Sequence, residues 1–182
     1  HEGRCIGRTD LRVDHRRAKR LAHRIRAAAR VHGLPHIIHT SSLRRCFDVG
    51  HYLRRWGWQH LVDDTLLELD FGAWDGKHWS AIDRHEVDAW VADFANHAPG
   101  QGEALTTILQ RASNWRPKAT GAALVVAHAG WMQAHAWNPN DLPHAATWPK
   151  PPAYMELRQT HCRFTPVQRN AGGPPQMPRT LT

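Results

Sequence analysis

The run Ala123-Leu-Val-Val-Ala127 ends on His128, and Ala129-Gly130-Trp131 follows directly. Small and β-branched apolar residues in so short a run read as a buried strand. The pattern after His128 turns helical within a few residues. Open α/β sheets bind ligands beyond the carboxyl ends of their strands, where a strand hands over to a helix. His128 stands at such a point, which makes it a candidate functional residue. A core strand that happens to end in a histidine has the same pattern, and periodicity alone does not separate the two.

The preceding segments alternate in the same way. Asp14 suits a helix N-cap, and Ala18, Leu21, Ala22, Ile25 and Ala29 recur at helical spacing until Gly33 and Pro35. A short strand is expected over 36–40. Ser41 or Ser42 then caps a helix over about 43–56, with Leu43, Cys46, Val49 and Leu53 inward and Gly57 at its end. A second short strand is expected over 58–62. A helical pattern returns over 79–97 through Ile82, Val87, Trp90, Val91 and Phe94, and again from Glu103 to about Trp115. Asn138-Pro139 cuts short the helix after His128. Pro139, Pro143, Pro149, Pro151 and Pro152 mark a loop, and 153–160 reads as a last strand. Strands alternating with helices predict a three-layer α/β/α fold with a mostly parallel sheet flanked by helices. One domain over 1–164 is expected, with a Pro/Gly-rich disordered tail over 165–182.

Three stretches carry chemistry. Gly3-Arg-Cys-Ile-Gly7-Arg8-Thr9-Asp10 is a glycine-punctuated loop whose backbone suits an anionic group, as do many surface turns. Arg44 and Arg45 fall in the first turn of a helix, where a cation is electrostatically disfavoured unless an anion stands before it. Glu68 lies between Leu67 and Leu69, where an apolar environment raises a carboxyl pKa and suits a general acid. Two exposed arginines and a water-facing glutamate on an alternating strand would look the same.

Composition narrows the class. The chain has 182 residues and a formal net charge of +8, and eight of its 24 Lys and Arg residues lie within 12–30. That basic helix is either a solvated face or a polyanion surface. No zinc-finger, RRM or KH signature accompanies it, so a nucleic-acid partner is not favoured. No apolar run spans a membrane. Cys5, Cys46 and Cys162 form neither a CxxC pair nor a disulfide framework, which suits a reducing, cytoplasmic setting. Most of the 15 histidines sit in polar contexts and read as surface residues.

Read in order, four segments resemble the motifs of the histidine phosphatase (phosphoglycerate-mutase-like) superfamily. Gly7-Arg8-Thr9-Asp10 resembles its G-x-x-D loop, and Ser41-Ser42-Leu43-Arg44-Arg45 its S-x-L-x-R segment. Glu68-Leu-Asp-Phe-Gly-Ala-Trp-Asp75-Gly76 resembles its E-x-x-F-G-x-W-E-G segment, and Val126-Ala127-His128-Ala129-Gly130 its second histidine motif. Gly102-Glu103 is similar to its G-G-E-S turn. The Cys5 to Asp10 loop and the His-Ala-Gly-Trp motif look most like the α-ribazole phosphatases of cobalamin biosynthesis.

The resemblance implies phosphomonoester hydrolysis through a phosphohistidine, with a small phosphorylated substrate and neither metal nor cofactor. It makes Arg45 a phosphate clamp, His128 the second histidine and phosphoryl-oxygen ligand, and Glu68 the general acid. Arg8 is implied as a contact to the phosphate or the substrate body. The nucleophilic histidine of the superfamily ends a first strand ahead of the Gly3 to Gly7 loop. That strand and its Arg-His pair are expected upstream of residue 1, so the sheet is expected to lack the strand; His1, at a shorter spacing and without the preceding arginine, is the alternative candidate. Alternatives are a truncated or inactive relative that binds anions without turnover, a mutase, and a basic nucleic-acid-interacting protein. Oligomeric state is left open by the sequence.

Overall fold

The chain folds as an α/β unit built on a parallel three-stranded sheet with helices on both faces. The computed structural model describes residues 3–117 and 122–159. In chain order it contains α1 (His15–His32), β1 (Ile37–Thr40), α2 (Arg44–Arg55), β2 (Gln59–Val62), α3 (Arg84–Ala92), α4 (Leu105–Asn114), β3 (Leu124–Val126) and α5 (Ala129–Ala136). Strand order is β2-β1-β3. β1 pairs with both neighbours in parallel, Thr40 standing opposite Val62 on one side and Val126 on the other. No gap interrupts these three strands.

Side-chain alternation sorts the two layers. Leu124 and Val126 pack with Ile38 against α1 and α2, beside Ala22, Ile25, Cys46, Val49 and Leu53. Ala123, Val125 and Ala127 face the other way, toward Leu105, Ile108 and Ala112 of α4 and Trp131 of α5. A strand reverses its face at every residue, so five consecutive apolar residues fill both cores at once. That is why the run carries no amphipathic signature. Each large aliphatic side chain buried here contributes about 1.5–3 kcal/mol.

Local signals set most boundaries. The Asp14 carboxylate accepts from the Arg16 N–H at 2.8 Å and starts α1, and Gly33 ends it with a left-handed φ of 62°. The expected helical stretch over 79–97 divides. A single turn at Trp79–Ala81 precedes α3, because Asp83 takes the His85 N–H at 2.8 Å and begins a new helix. Val91, expected inward, is exposed. The strand expected over 153–160 does not form across its described residues, 153–159. Glu156 turns back onto Ala153, and Met155 adopts a φ of 63°, outside extended backbone. His39 is an exception to the mostly surface reading of the histidines: it is buried on β1 with its ring edge-on to Trp115 at 5.4 Å. His1 and the tail over 165–182 lie outside the described residues. Among the described residues no helix is long and apolar enough to cross a membrane.

Candidate active site

Parallel pairing brings the carboxyl ends of β1 and β3 side by side. With Thr40 opposite Val126, the next residues of each strand, Ser41 and Ala127–His128, emerge together. Ser41 Oγ and His128 Nε2 stand 2.7 Å apart in a buried contact. Arg45, in the first turn of α2, donates from Nε to His128 Nδ1 at 2.9 Å. An acceptor at Nδ1 places the ring proton on Nε2, which then donates to Ser41. His128 is therefore a neutral Nε2–H imidazole. Burial, then the charges of Arg45 and Arg111, push its pKa down to about 3.

Arg45 has further donors. Nη1 donates to the Thr9 carbonyl at 2.9 Å and Nη2 to the Gly7 carbonyl. All its hydrogen bonds among the described residues thus end on neutral acceptors. The other arginines nearby differ. Arg8 stands 3.5 Å from both Asp70 and Glu103, and Arg111 is 2.9 Å from Glu103. Arg45 is the cation here whose direct partners carry no charge.

Glu68 approaches from an irregular segment between β2 and the turn at Gly72–Trp74. Its carboxylate accepts from the Gly130 N–H at 3.1 Å and from its neighbour Leu69 at 2.9 Å. Gly130 is the second residue of α5, so Glu68 caps the helix that His128 begins. A Cβ on Gly130 would lie 2.2 Å from a Glu68 oxygen, so only glycine permits this approach. Burial raises the Glu68 pKa, against the two N–H groups and the charges of Arg45 and Arg111. The Cys46 thiol also lies against His128, its Sγ 3.5 Å from Nε2. Burial pushes it up to about 12, so it stays a thiol.

The glycine loop does bind an anion, but one of the chain's own. The Asp75 carboxylate accepts from the N–H groups of Gly7, Arg8 and Thr9 at 3.0, 2.6 and 2.9 Å, and from Thr9 Oγ1 at 2.8 Å. Burial acts to raise its pKa, and these bonds outweigh it and hold Asp75 below the usual carboxylate range. Asp10 then accepts from the Arg44 N–H at 2.7 Å. The cap of α2 is therefore Asp10, reaching across 34 positions, and not Ser41 or Ser42 as expected. Ser41 is committed to His128, and the N-cap residue Leu43 has no capping side chain. The Asp75 and Asp10 bonds lock the loop over the start of α2 and present the Gly7 and Thr9 carbonyls to Arg45.

The structure thus joins Arg45 to His128 and sets Glu68 against the same helix start. Arg8 is half-exposed and points instead to Asp70 and Glu103. Two contributors carried no legible role in the sequence, Asp75 and Arg111. The W-E-G-like motif contained Asp75, but its partners lie some 67 positions away. A model of the histidine phosphatase superfamily (branch 1) matches residues 1–171.

The chain belongs to that superfamily. Solved members have the same fold. The protein TTHB049 from Thermus thermophilus is 25% identical, with a TM-score of 0.56 and 73% of each chain covered. A mycobacterial glucosyl-3-phosphoglycerate phosphatase is 26% identical, with a TM-score of 0.57 over 73% of this chain and 71% of that one. The complex of that phosphatase with inorganic phosphate gives 26% identity and a TM-score of 0.57, over 72% and 70%. No curated protein matches the chain. Among the described residues of this superfamily member, no cluster of His, Cys, Asp and Glu could hold a metal ion.

Proposed function

We propose that this chain holds phosphomonoesters at Arg45 and His128, and that Glu68 gives a proton to the leaving oxygen. The observation that carries this reading is Arg45, a half-buried guanidinium at a helix N-terminus whose direct partners are all neutral. Both its own charge and the α2 dipole favour an anion in front of it. A phosphoryl group entering there would take Arg45's donors from the Gly7 and Thr9 carbonyls. Its charge would also raise the His128 pKa; once Arg45 Nε turns from Nδ1 to the phosphoryl group, that nitrogen takes a proton and offers a second N–H.

The chemistry is that of the superfamily. The nucleophile this reading requires is a histidine ahead of the Gly3 to Gly7 loop, for which His1 is the candidate within this sequence. As its ring nitrogen bonds to phosphorus, the ester P–O bond breaks and the electron pair leaves on the ester oxygen. Glu68, its pKa raised by burial, supplies the proton that oxygen needs. Arg45 and His128 stabilise the charge on the equatorial oxygens. Water then cleaves the N–P bond, releasing phosphate and restoring the histidine. Within the class, α-ribazole 5'-phosphate is the first substrate to test, on the strength of the Cys5 to Asp10 loop and the His-Ala-Gly-Trp motif. Glucosyl-3-phosphoglycerate is the second, from the structural neighbour.

The deciding experiment is trapping with a 32P-labelled phosphomonoester, quenched in alkaline detergent. Label in an acid-labile, base-stable bond that disappears in His1→Ala supports the whole scheme. Label that persists in His1→Ala moves the nucleophile to another residue. Phosphate binding with neither label nor hydrolysis leaves an anion binder without turnover. Glu68→Gln is expected to slow hydrolysis of an alkyl phosphate about 100-fold. It should slow p-nitrophenyl phosphate far less, since that leaving group needs little protonation. Equal effects on the two esters would remove Glu68 as the acid.

A further inference from the structure

Residues 67–71, which carry Glu68, belong to no strand or helix. Backbone carbonyls outside regular structure still need partners when half-buried. One side chain supplies two of them and a third just upstream. Arg111 of α4 donates to the carbonyls of Thr65 at 2.9 Å, Leu67 at 2.6 Å and Glu68 at 3.1 Å. Its Nε and Nη2 also grip both oxygens of Glu103, at 2.9 and 3.0 Å. Glu103 in turn accepts from the Asp70 N–H at 3.3 Å. The Arg111–Glu103 pair is itself largely buried. A planar fork with five donors can bridge these acceptors, and a lysine ammonium cannot. Where a strand would have used a neighbour's ladder, this segment uses a guanidinium for Leu67 and Glu68 and the Glu103 and Trp74 N–H groups for Asp70 and Phe71.

We infer that Arg111 is the positioning residue for Glu68: with Glu103 it fixes the backbone that aims the Glu68 carboxyl at the start of α5. This rests on the reading of Glu68 as the proton donor. Three charged or titratable groups act on that carboxyl: Arg111 from α4, and Arg45 and Cys46 from α2. Arg111 thus has two separable roles, geometry through its fork and electrostatics through its charge. Arg111→Lys removes the first and keeps the second, whereas Arg111→Met removes both.

The test is carried out on the full chain and does not need turnover. The Leu69 and Gly130 amides, which bond the Glu68 carboxylate, report its position by hydrogen exchange. Both should exchange at least about tenfold faster in Arg111→Lys, with α1 and α2 unchanged. Carboxyl-carbon NMR reads the Glu68 titration directly. The chain has only five glutamates, and Glu68→Gln identifies the resonance by its loss. In Arg111→Met the Glu68 midpoint should move to higher pH, because a cation favouring the ionised form is gone. In Arg111→Lys it should stay nearer the wild type. If Arg111→Met does not fold, Glu103→Gln substitutes for it. That variant leaves the Arg111 charge uncompensated, so the midpoint should fall. Unchanged exchange at Leu69 and Gly130 in Arg111→Lys would overturn the inference, as would a Glu68 midpoint that neither charge variant moves. Failure of the proton-donor reading is separate, since it would appear as equal slowing of both esters in Glu68→Gln.

Discussion

The Gly7 to Asp10 loop and the Arg45–His128 pair both have the sequence features of an anion site, and they meet that description in opposite ways. The loop is filled: three backbone N–H groups and a hydroxyl converge on Asp75. Arg45 touches only carbonyl oxygens and a neutral ring. A cradle of amides needs just one carboxylate, and the chain provides it. A guanidinium bound to neutral acceptors keeps its full charge and can take a dianion. The difference assigns the loop to architecture and supports the proposal that Arg45 binds the ligand. It also links them, because the filled loop presents the two carbonyls that hold Arg45 in place.

Substitutions at the two places should therefore separate affinity from stability. Arg45→Met is expected to weaken inorganic phosphate binding by about 100-fold or more, read by calorimetry. Retained affinity would break the contrast. Asp75→Ala should cost about 3 kcal/mol of unfolding free energy in urea, since it strands several donors once bonded to a charge. If the folded Asp75→Ala protein binds phosphate in the vacated cradle, the loop is a second anion site and the contrast fails.

A third expectation concerns pH. His128 has a folded pKa of about 3 against an ordinary 6.5. In that window the unfolded chain binds the proton and the folded chain does not. Stability from this group is therefore present above about pH 6.5 and falls as pH drops toward about pH 3. Asp75 loses stability in the same direction, but only as pH falls below the ordinary carboxylate range. Urea unfolding of wild type and His128→Gln between about pH 7 and about pH 5 isolates the imidazole, because Asp75 is ionised throughout. The variant should have the flatter profile. Matching slopes would mean that His128 is already protonated, contradicting the acceptor assigned to Nδ1. The smallest effect is expected at Asp10→Ala, about 1 kcal/mol from a lost cap. If α2 amides exchange no faster in that variant, the loop does not secure the helix start.

Local physics made much of this legible in advance. Asp14, Gly33 and the spacing of Ala22, Ile25 and Ala29 marked α1 nearly to the residue, because capping and periodicity act within a few positions. The strand before His128 and the helix bearing Arg45 were legible for the same reason. Less was available at 153–159, where an apolar stretch resembling a strand closes into a turn. The segment carrying Glu68 is similar: it reads as alternating strand, yet a side chain from α4 takes the place of a neighbouring strand. The serines before α2 met every local rule for a cap, and a long-range carboxylate took the position.

The sequence alone determined which residue types this protein could bring to bear: a strand ending in His128, a cation in a helix's first turn, a carboxyl among leucines. It determined the alternation of helices and strands that makes the sheet parallel, because those signals are short-ranged. Only the tertiary structure decided what each polar group faces. It assigned the glycine loop to Asp75, Ser41 to His128, Arg8 to two carboxylates and Arg45 to neutral acceptors. Those pairings join residues 36 to 95 positions apart. No local pattern specifies them, since the register of β1 on β3 and the packing of α2, α4 and α5 set which charges meet and which are left for a ligand.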